Sequence, residues 1–199
     1  MLEDAAESES SLEAGSGHSE TNNQGEGIEE ADVTLTDGET IYTIVEQTIV
    51  LVDAKNPSNM VKQAVIRLEQ NAYPHQLLLH ENYLLVAFSD YREEMKDGNY
   101  EYKDFSKVAI FDITNKQDPK KVREIGQEGN IVAIRKTANM LYLVTQTAPN
   151  YWLLKEGGEV NLKPAVYDSN EEGEQLLQND RISILPNSQD PNYTVISVL

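Results

Sequence analysis

The sequence predicts an all-β chain built from repeated four-stranded antiparallel meanders, the plan of a partial β-propeller. Three observations carry this. Val50-Leu51-Val52-Asp53 followed by Asn56-Pro57 and Val61–Ile66 matches Val108–Ile113, with its Asp112, followed by Pro119 and Val122–Ile125. Each is an apolar strand ending in Asp, a polar turn with Pro, and a second strand. Tyr42 to Tyr83 spans 41 residues, near the ~40–45 of a propeller blade. No stretch of ten residues keeps a helical period, and Leu176-Leu177 is the one short helix-tolerant spot. A β-sandwich also uses many short strands, but it needs no internal similarity.

The elements follow in order. Residues 1–27 are rich in Glu, Ser, Gly and Asn and nearly free of large apolar side chains. Such a segment cannot bury enough surface to offset its ordering entropy, so it is expected to be a disordered acidic tail or linker. A specific acidic docking segment is the alternative. Period-two alternation with β-branched residues starts near residue 31. Strands are expected at Ala31–Thr36, Thr40–Glu46, Thr48–Ala54 and Val61–Leu68, with a turn at Asp37-Gly38. A second set is expected at Gln76–His80, Tyr83–Ser89, Lys107–Ile113 and Lys121–Gly126. Asp90 to Phe105 between them reads as a polar loop insertion. A third set starts with Ile131–Lys136 and Met140–Thr147. About forty irregular residues with Pro164, Pro186 and Pro191 precede a last strand at Tyr193–Leu199.

This gives a tail at 1–27 and a propeller fragment at 28–199. Its blades are about 31–69, 75–127 and an incomplete 130–199, two and a half to three blades in all. The last strand lacks the Asp and the outer strand of the earlier units, so a piece of a longer propeller is expected. An open ring exposes sheet faces and edges, so self-association is expected of it.

The net charge of -18 bounds the partners. Nine acids and no Lys or Arg fall in residues 1–30, and the first basic residue is Lys55. Such a surface repels phosphate backbones and anionic lipid, so no nucleic acid is expected as partner. No apolar run is long enough to span a membrane, and the start lacks a signal-peptide pattern. Without cysteine there is no disulfide framework and no thiolate metal site.

Glu26-Gly27-Ile28-Glu29-Glu30-Ala31-Asp32-Val33, then Thr36-Asp37-Gly38-Glu39-Thr40-Ile41-Tyr42, resembles the opening of a bacterial family described as a β-propeller domain. Tyr73-Pro74-His75-Gln76-Leu77, Val108–Ile113, Pro164–Ser169 and Asn192–Ser197 continue the resemblance in the family's order. The chain departs at Val33-Thr34-Leu35, where a Lys is common before the Thr-Asp-Gly. The resemblance implies a secreted or membrane-anchored protein distantly related to WD-repeat propellers. It implies an extracellular or cell-surface location, with any targeting segment outside this chain. It brings no activity and no catalytic residues.

Few residues point to chemistry. His75 and His80 are five apart on a strand, hence on opposite faces, and make no ligand pair. No nucleophile-elbow, zinc-helix or phosphate-loop motif is present. Asp168, Asn170 and Glu172 resemble half a calcium loop, but the twelfth position is Asn179, where a Glu is wanted. Apart from this calcium reading, no cofactor is expected. Glu29, Glu30 and Asp32 cluster at the start of the innermost strand; one acidic cluster is not a site, and a charged lead-in to the strand is the preferred reading over channel carboxylates. Tyr91, Tyr100 and Tyr102, with Phe105, decorate one insertion, and Tyr151 and Trp152 open the other. Aromatics on loops over a rigid scaffold make binding surfaces, or else fold back over blade edges. The expectation is a non-enzymatic interaction scaffold for a protein or glycan of the cell envelope. The alternative is a hydrolase acting on polysaccharide or peptide, with carboxylates meeting in a propeller channel.

Overall fold

A computed structural model describes residues 28–96, 99–149 and 162–199. The expected tail, residues 1–27, lies outside them. The described residues form strands and one 3-10 turn, Asn179–Arg181.

The strands are β1 (Glu29–Glu30), β2 (Thr34–Thr36), β3 (Thr40–Val45), β4 (Thr48–Asp53), β5 (Val61–Arg67), β6 (Ala72–His80) and β7 (Tyr83–Lys96). They continue with β8 (Asn99–Asp112), β9 (Lys120–Glu128), β10 (Asn130–Thr137) and β11 (Met140–Thr147). The last are β12 (Ala165–Asp168), β13 (Glu174–Leu176) and β14 (Tyr193–Val198). Three antiparallel sheets result: β2-β3-β4-β5, then β13-β12-β9-β8-β7-β6, then β1-β10-β11-β14.

The first two sheets repeat one another closely. Asp53 pairs with Thr40, and Asp112 pairs with Tyr83, so these residues hold equivalent places. Each Asp turns its carboxylate onto the backbone two residues on: Lys55 N–H donates to Asp53 at 3.1 Å, and Thr114 N–H to Asp112 at 2.8 Å. Asn56 and Asn115 repeat the device, accepting from Ser58 and Gln117. A bulge sits two residues before each Asp, at Leu51/Val52 and at Ile110/Phe111. These local side-chain-to-backbone bonds fix the turn, and the bulge adds twist. The equivalence shows that Tyr42 corresponds to Leu85 rather than to Tyr83. The 41-residue offset therefore compared positions two residues out of register.

The middle sheet is buried on both faces. Leu84, Val86 and Phe88 join Tyr42, Ile49, Leu51 and Ile66 of the first sheet in one cluster. Leu85 and Ala87, on the other side, join Ile134, Leu141 and Leu143 of the third. Two-sided burial explains why Tyr83 to Phe88 reads as an unbroken apolar run instead of an alternating one.

Three expectations are corrected. Asp90 to Phe105 is no loop: β7 and β8 stay paired out to Lys96 and Asn99 and form a projecting hairpin arm. Cross-strand pairing satisfies the backbone there, so polar side chains on both faces cost nothing. The long third-unit insertion is not wholly irregular either. Val166, Tyr167 and Asp168 pair with Gln127, Gly126 and Ile125, so β12 and β13 widen the middle sheet to six strands. The lead-in strand is broken: Glu29 and Glu30 pair with Lys136 and Arg135 of β10, and Asp32 bridges Leu77 of β6 before β2 begins.

Candidate functional site

The arm runs beyond the two apolar core clusters, whose last β7 members are Ala87 and Phe88. Residues opposite one another in antiparallel register share a face. Asp90 faces Phe105, Tyr91 faces Asp104, Arg92 faces Lys103, and Glu93 faces Tyr102. Alternation therefore sorts the arm into two chemically different sides.

One side continues the surface that packs on the first sheet. Phe105 is fully buried there, with the Arg92 guanidinium 5.2 Å over its ring. Arg92 also binds Asp90 at 2.9 Å and contacts Glu174. Lys107 lies 2.8 Å from Asp90 and 3.1 Å from Glu124, with its ammonium 4.6 Å over the Tyr167 ring. Lys121 bonds Glu124 at 3.0 Å and Glu69 at 3.3 Å. Gly126 pairs with both Lys107 and Tyr167, and its missing side chain lets the Lys107 stem cross. A cavity of about 120 Å³ opens beside this network, lined by Arg67, Phe88, Asp90, Lys107 and Glu124 among others. Burial alone would raise the Asp90 carboxyl, but Lys107 and Arg92 outweigh it and hold it below the usual carboxylate range.

The other side carries tyrosines and unpaired acids. Tyr73 sits opposite Ser89, one step down the sheet from Tyr91. Their rings meet edge to face, 5.7 Å apart at 61°. Tyr102 is 73% exposed, and its hydroxyl donates to Glu93 at 3.0 Å. Among the described residues neither Glu93 nor Asp104 has a salt-bridge partner. At the base of this side His75, the bulge residue of β6, lies 2.7 Å from Ser89 Oγ, and partial burial lowers its imidazole pKa.

Stacked four-stranded meanders, with repeated Asp turns and bulges and a two-sided middle sheet, are propeller blades in series. A family model described as "Beta propeller domain" matches residues 18–199. The chain belongs to that β-propeller family. Among curated proteins and among solved structures no match was found.

The propeller brings some of the sequence candidates together and separates others. Tyr91 and Tyr102 share the open side of the arm. Tyr100 belongs to β8, its backbone opposite Met95. Tyr151 and Trp152 lie outside the described residues. Phe105 points inward. Asp168 ends β12 with its carboxylate on Arg123, Nη2 to Oδ2 at 2.5 Å, and accepts from Asn170 N–H at 3.0 Å. The Arg123 hydrogen bond holds Asp168 below the usual carboxylate range. A calcium ion on Asp168, Asn170 and Glu172 would have to displace that guanidinium. Glu29 lies 2.6 Å from Lys136 and Glu30 3.2 Å from Arg135, and the Asp32 carboxylate caps Val33 N–H. Glu29 and Glu30 are thus neutralised by cations of β10. Between blades two and three a cavity of about 400 Å³ is lined chiefly by Tyr83, Leu85, Ile110, Val122 and Met140. Its cations, Arg123 and Lys136, are both held by carboxylates.

Sequence reasoning missed Tyr73 and the Asp90–Lys107–Glu124 network. The signal was present in the parity of the insertion: Asp90 and Arg92 alternate with Tyr91 and Glu93, and Lys103, Phe105 and Lys107 with Tyr102 and Asp104. Period two read through the arm would have separated the two sides. No helix of the described residues is long and apolar enough to cross a membrane.

Proposed function

We propose that this propeller is a non-enzymatic interaction module, and that the open side of the β7–β8 arm is its contact surface. The observation behind this is the exposed row of Tyr73 on β6 with Tyr91 and Tyr102 on the hairpin, which a buried ion network anchors to the core. Rigid, exposed tyrosines lose little conformational entropy on binding and suit protein or glycan partners. The family resemblance in the sequence adds an exported, cell-surface setting, bacterial and distantly WD-repeat-like. The outer face of blade three, with Ile196 and Val198 exposed, is the surface by which copies or further blades would associate.

The hydrolase alternative needs one carboxyl kept protonated as general acid. Asp90 is held in the opposite state by Lys107 and Arg92, which favours the binding reading. The test is capture of envelope proteins and glycans by the native chain and by a Tyr91→Ala/Tyr102→Ala variant, beside a panel of glycosidase and peptidase substrates. Capture lost in the variant with an unchanged melt supports the module. Turnover abolished by Asp90→Asn or Glu124→Gln would replace it with the hydrolase.

A further inference from the structure

The geometry points to a basic, extended peptide segment of a partner protein as the ligand of the arm's open side. This rests on the interaction reading above and names the chemistry of the partner.

The register makes a checkerboard. Tyr91 stands opposite Asp104 and Glu93 opposite Tyr102, so each ring has a carboxylate across the strand and another along it. A guanidinium stacked on either ring gains the attraction of the aromatic face. It reaches a carboxylate acceptor at the same time. Arg92 and Lys103, the nearest cations among the described side chains of the arm, do not fill this role. Alternation sends Arg92 and Lys103 to the opposite side, where Asp90 and Glu174 hold them. The open side is left with two acids that have no basic partner among the described residues.

Spacing sets the form of the ligand. Alternate residues on one face of a strand are about 6.6–6.8 Å apart. A partner segment in extended conformation, basic at every second position, repeats that spacing. Other occupants fit less well. The net charge of -18 opposes an anionic partner and a second copy alike. A sugar platform is best served by rings lying flat together, whereas Tyr73 and Tyr91 meet at 61°.

The probe is the acetylated, amidated peptide Arg-Ser-Arg-Ser-Arg, titrated into the full chain at 150 mM salt, with an all-Ser peptide and a neutral oligosaccharide panel alongside. Binding of the basic peptide alone is expected. Roughly tenfold weakening is expected from Tyr91→Ala/Tyr102→Ala and from Glu93→Gln/Asp104→Asn. Glu46→Gln/Glu81→Gln, which removes two exposed acids elsewhere, should change nothing, and Tyr91→Phe should retain binding because the ring is kept. Tyr91, Glu93, Tyr102, Glu46 and Glu81 are exposed and Asp104 is half-buried, so a melt matching the native chain is required of each variant before its binding is read. No binding overturns the proposal, as does binding that all acid variants weaken equally. Oligosaccharide binding lost in the tyrosine variant also overturns it, while leaving the interaction module standing.

Discussion

Tyr42 has no exposed surface, yet its hydroxyl donates to Asp37 Oδ2 at 2.8 Å, and Lys116 from the next blade reaches the same oxygen at 2.6 Å. Asp37 also accepts from Glu39 and Thr40 N–H. One carboxylate thus closes the turn before β3, satisfies a core phenol and ties blade one to blade two. Burial opposes its charge, but the Lys116, Tyr42 and backbone donors prevail and bring its pKa down to about 2.

A lowered folded pKa means that the unfolded chain takes up the proton first as pH falls. The stabilisation from Asp37 is therefore complete above about pH 4 and lost as pH drops toward 2. Because the carboxylate is partly open to screening water, its share is about 1 kcal/mol. Urea titrations from pH 2 to 5 should show Asp37→Asn less stable than the native chain at pH 5, with the gap closing toward pH 2. A gap independent of pH would refute the assignment.

Lys107 should be the most costly charge to remove. Its loss leaves Asp90 and Glu124 close together in a largely buried site, with only Arg92 and Lys121 at its edges to offset them. Breaking a buried pair from one side costs about 3–5 kcal/mol. Lys107→Met should show a loss of that order by denaturant titration, and adding Asp90→Asn and Glu124→Gln should recover part of it. If the triple variant is no more stable than Lys107→Met, the network does not act as a unit.

How much of this was legible depends on how local the cause is. Asp53 and Asp112 announce themselves because an Asp at a strand end bonds its own turn, whatever lies beyond. The run from Tyr83 to Phe88 is legible because burial on both faces leaves no polar position. The arm was not, because its core side is held by ion pairs such as Arg92 with Asp90 and Glu174, so charge fell on both parities and mimicked a loop. Nor was the pairing of β12 with β9, which depends on Tyr167 meeting Gly126 across a long separation, and no local signal encodes that. Glu29 with Lys136 is distant in the same way.

Gly126→Ala tests the passage of the Lys107 stem over β9. A Cβ there would stand 2.6 Å from Lys107 Cγ and 3.1 Å from Ser106 O. The lysine stem cannot swing away, since its ammonium is pinned between Asp90 and Glu124. Overpacking of this kind costs about 1–3 kcal/mol. In a Lys107→Ala background the same glycine change should cost clearly less, because the crowding atom is gone. Equal costs in both backgrounds would place the strain elsewhere.

One buried amide adds a polar tie to the apolar join between blades two and three. Gln127 of β9 is fully buried, and its Nε2 lies 2.9 Å from Val195 O, 3.0 Å from Thr145 Oγ1 and 3.2 Å from Leu143 O. Its Oε1 accepts from Ser197 Oγ at 2.5 Å. Gln127→Met keeps the volume but strands the Ser197 hydroxyl and removes a donor from both β11 and β14. Leaving buried polar groups unsatisfied costs about 1–3 kcal/mol each. The loss should fall on blade three, since blade two keeps its own ladder and its packing on blade one. Amide exchange at Val195 and Ser197 should accelerate well before exchange at Leu84 and Val86. Uniform acceleration in both blades would mean that Gln127 supports the whole stack rather than this one junction.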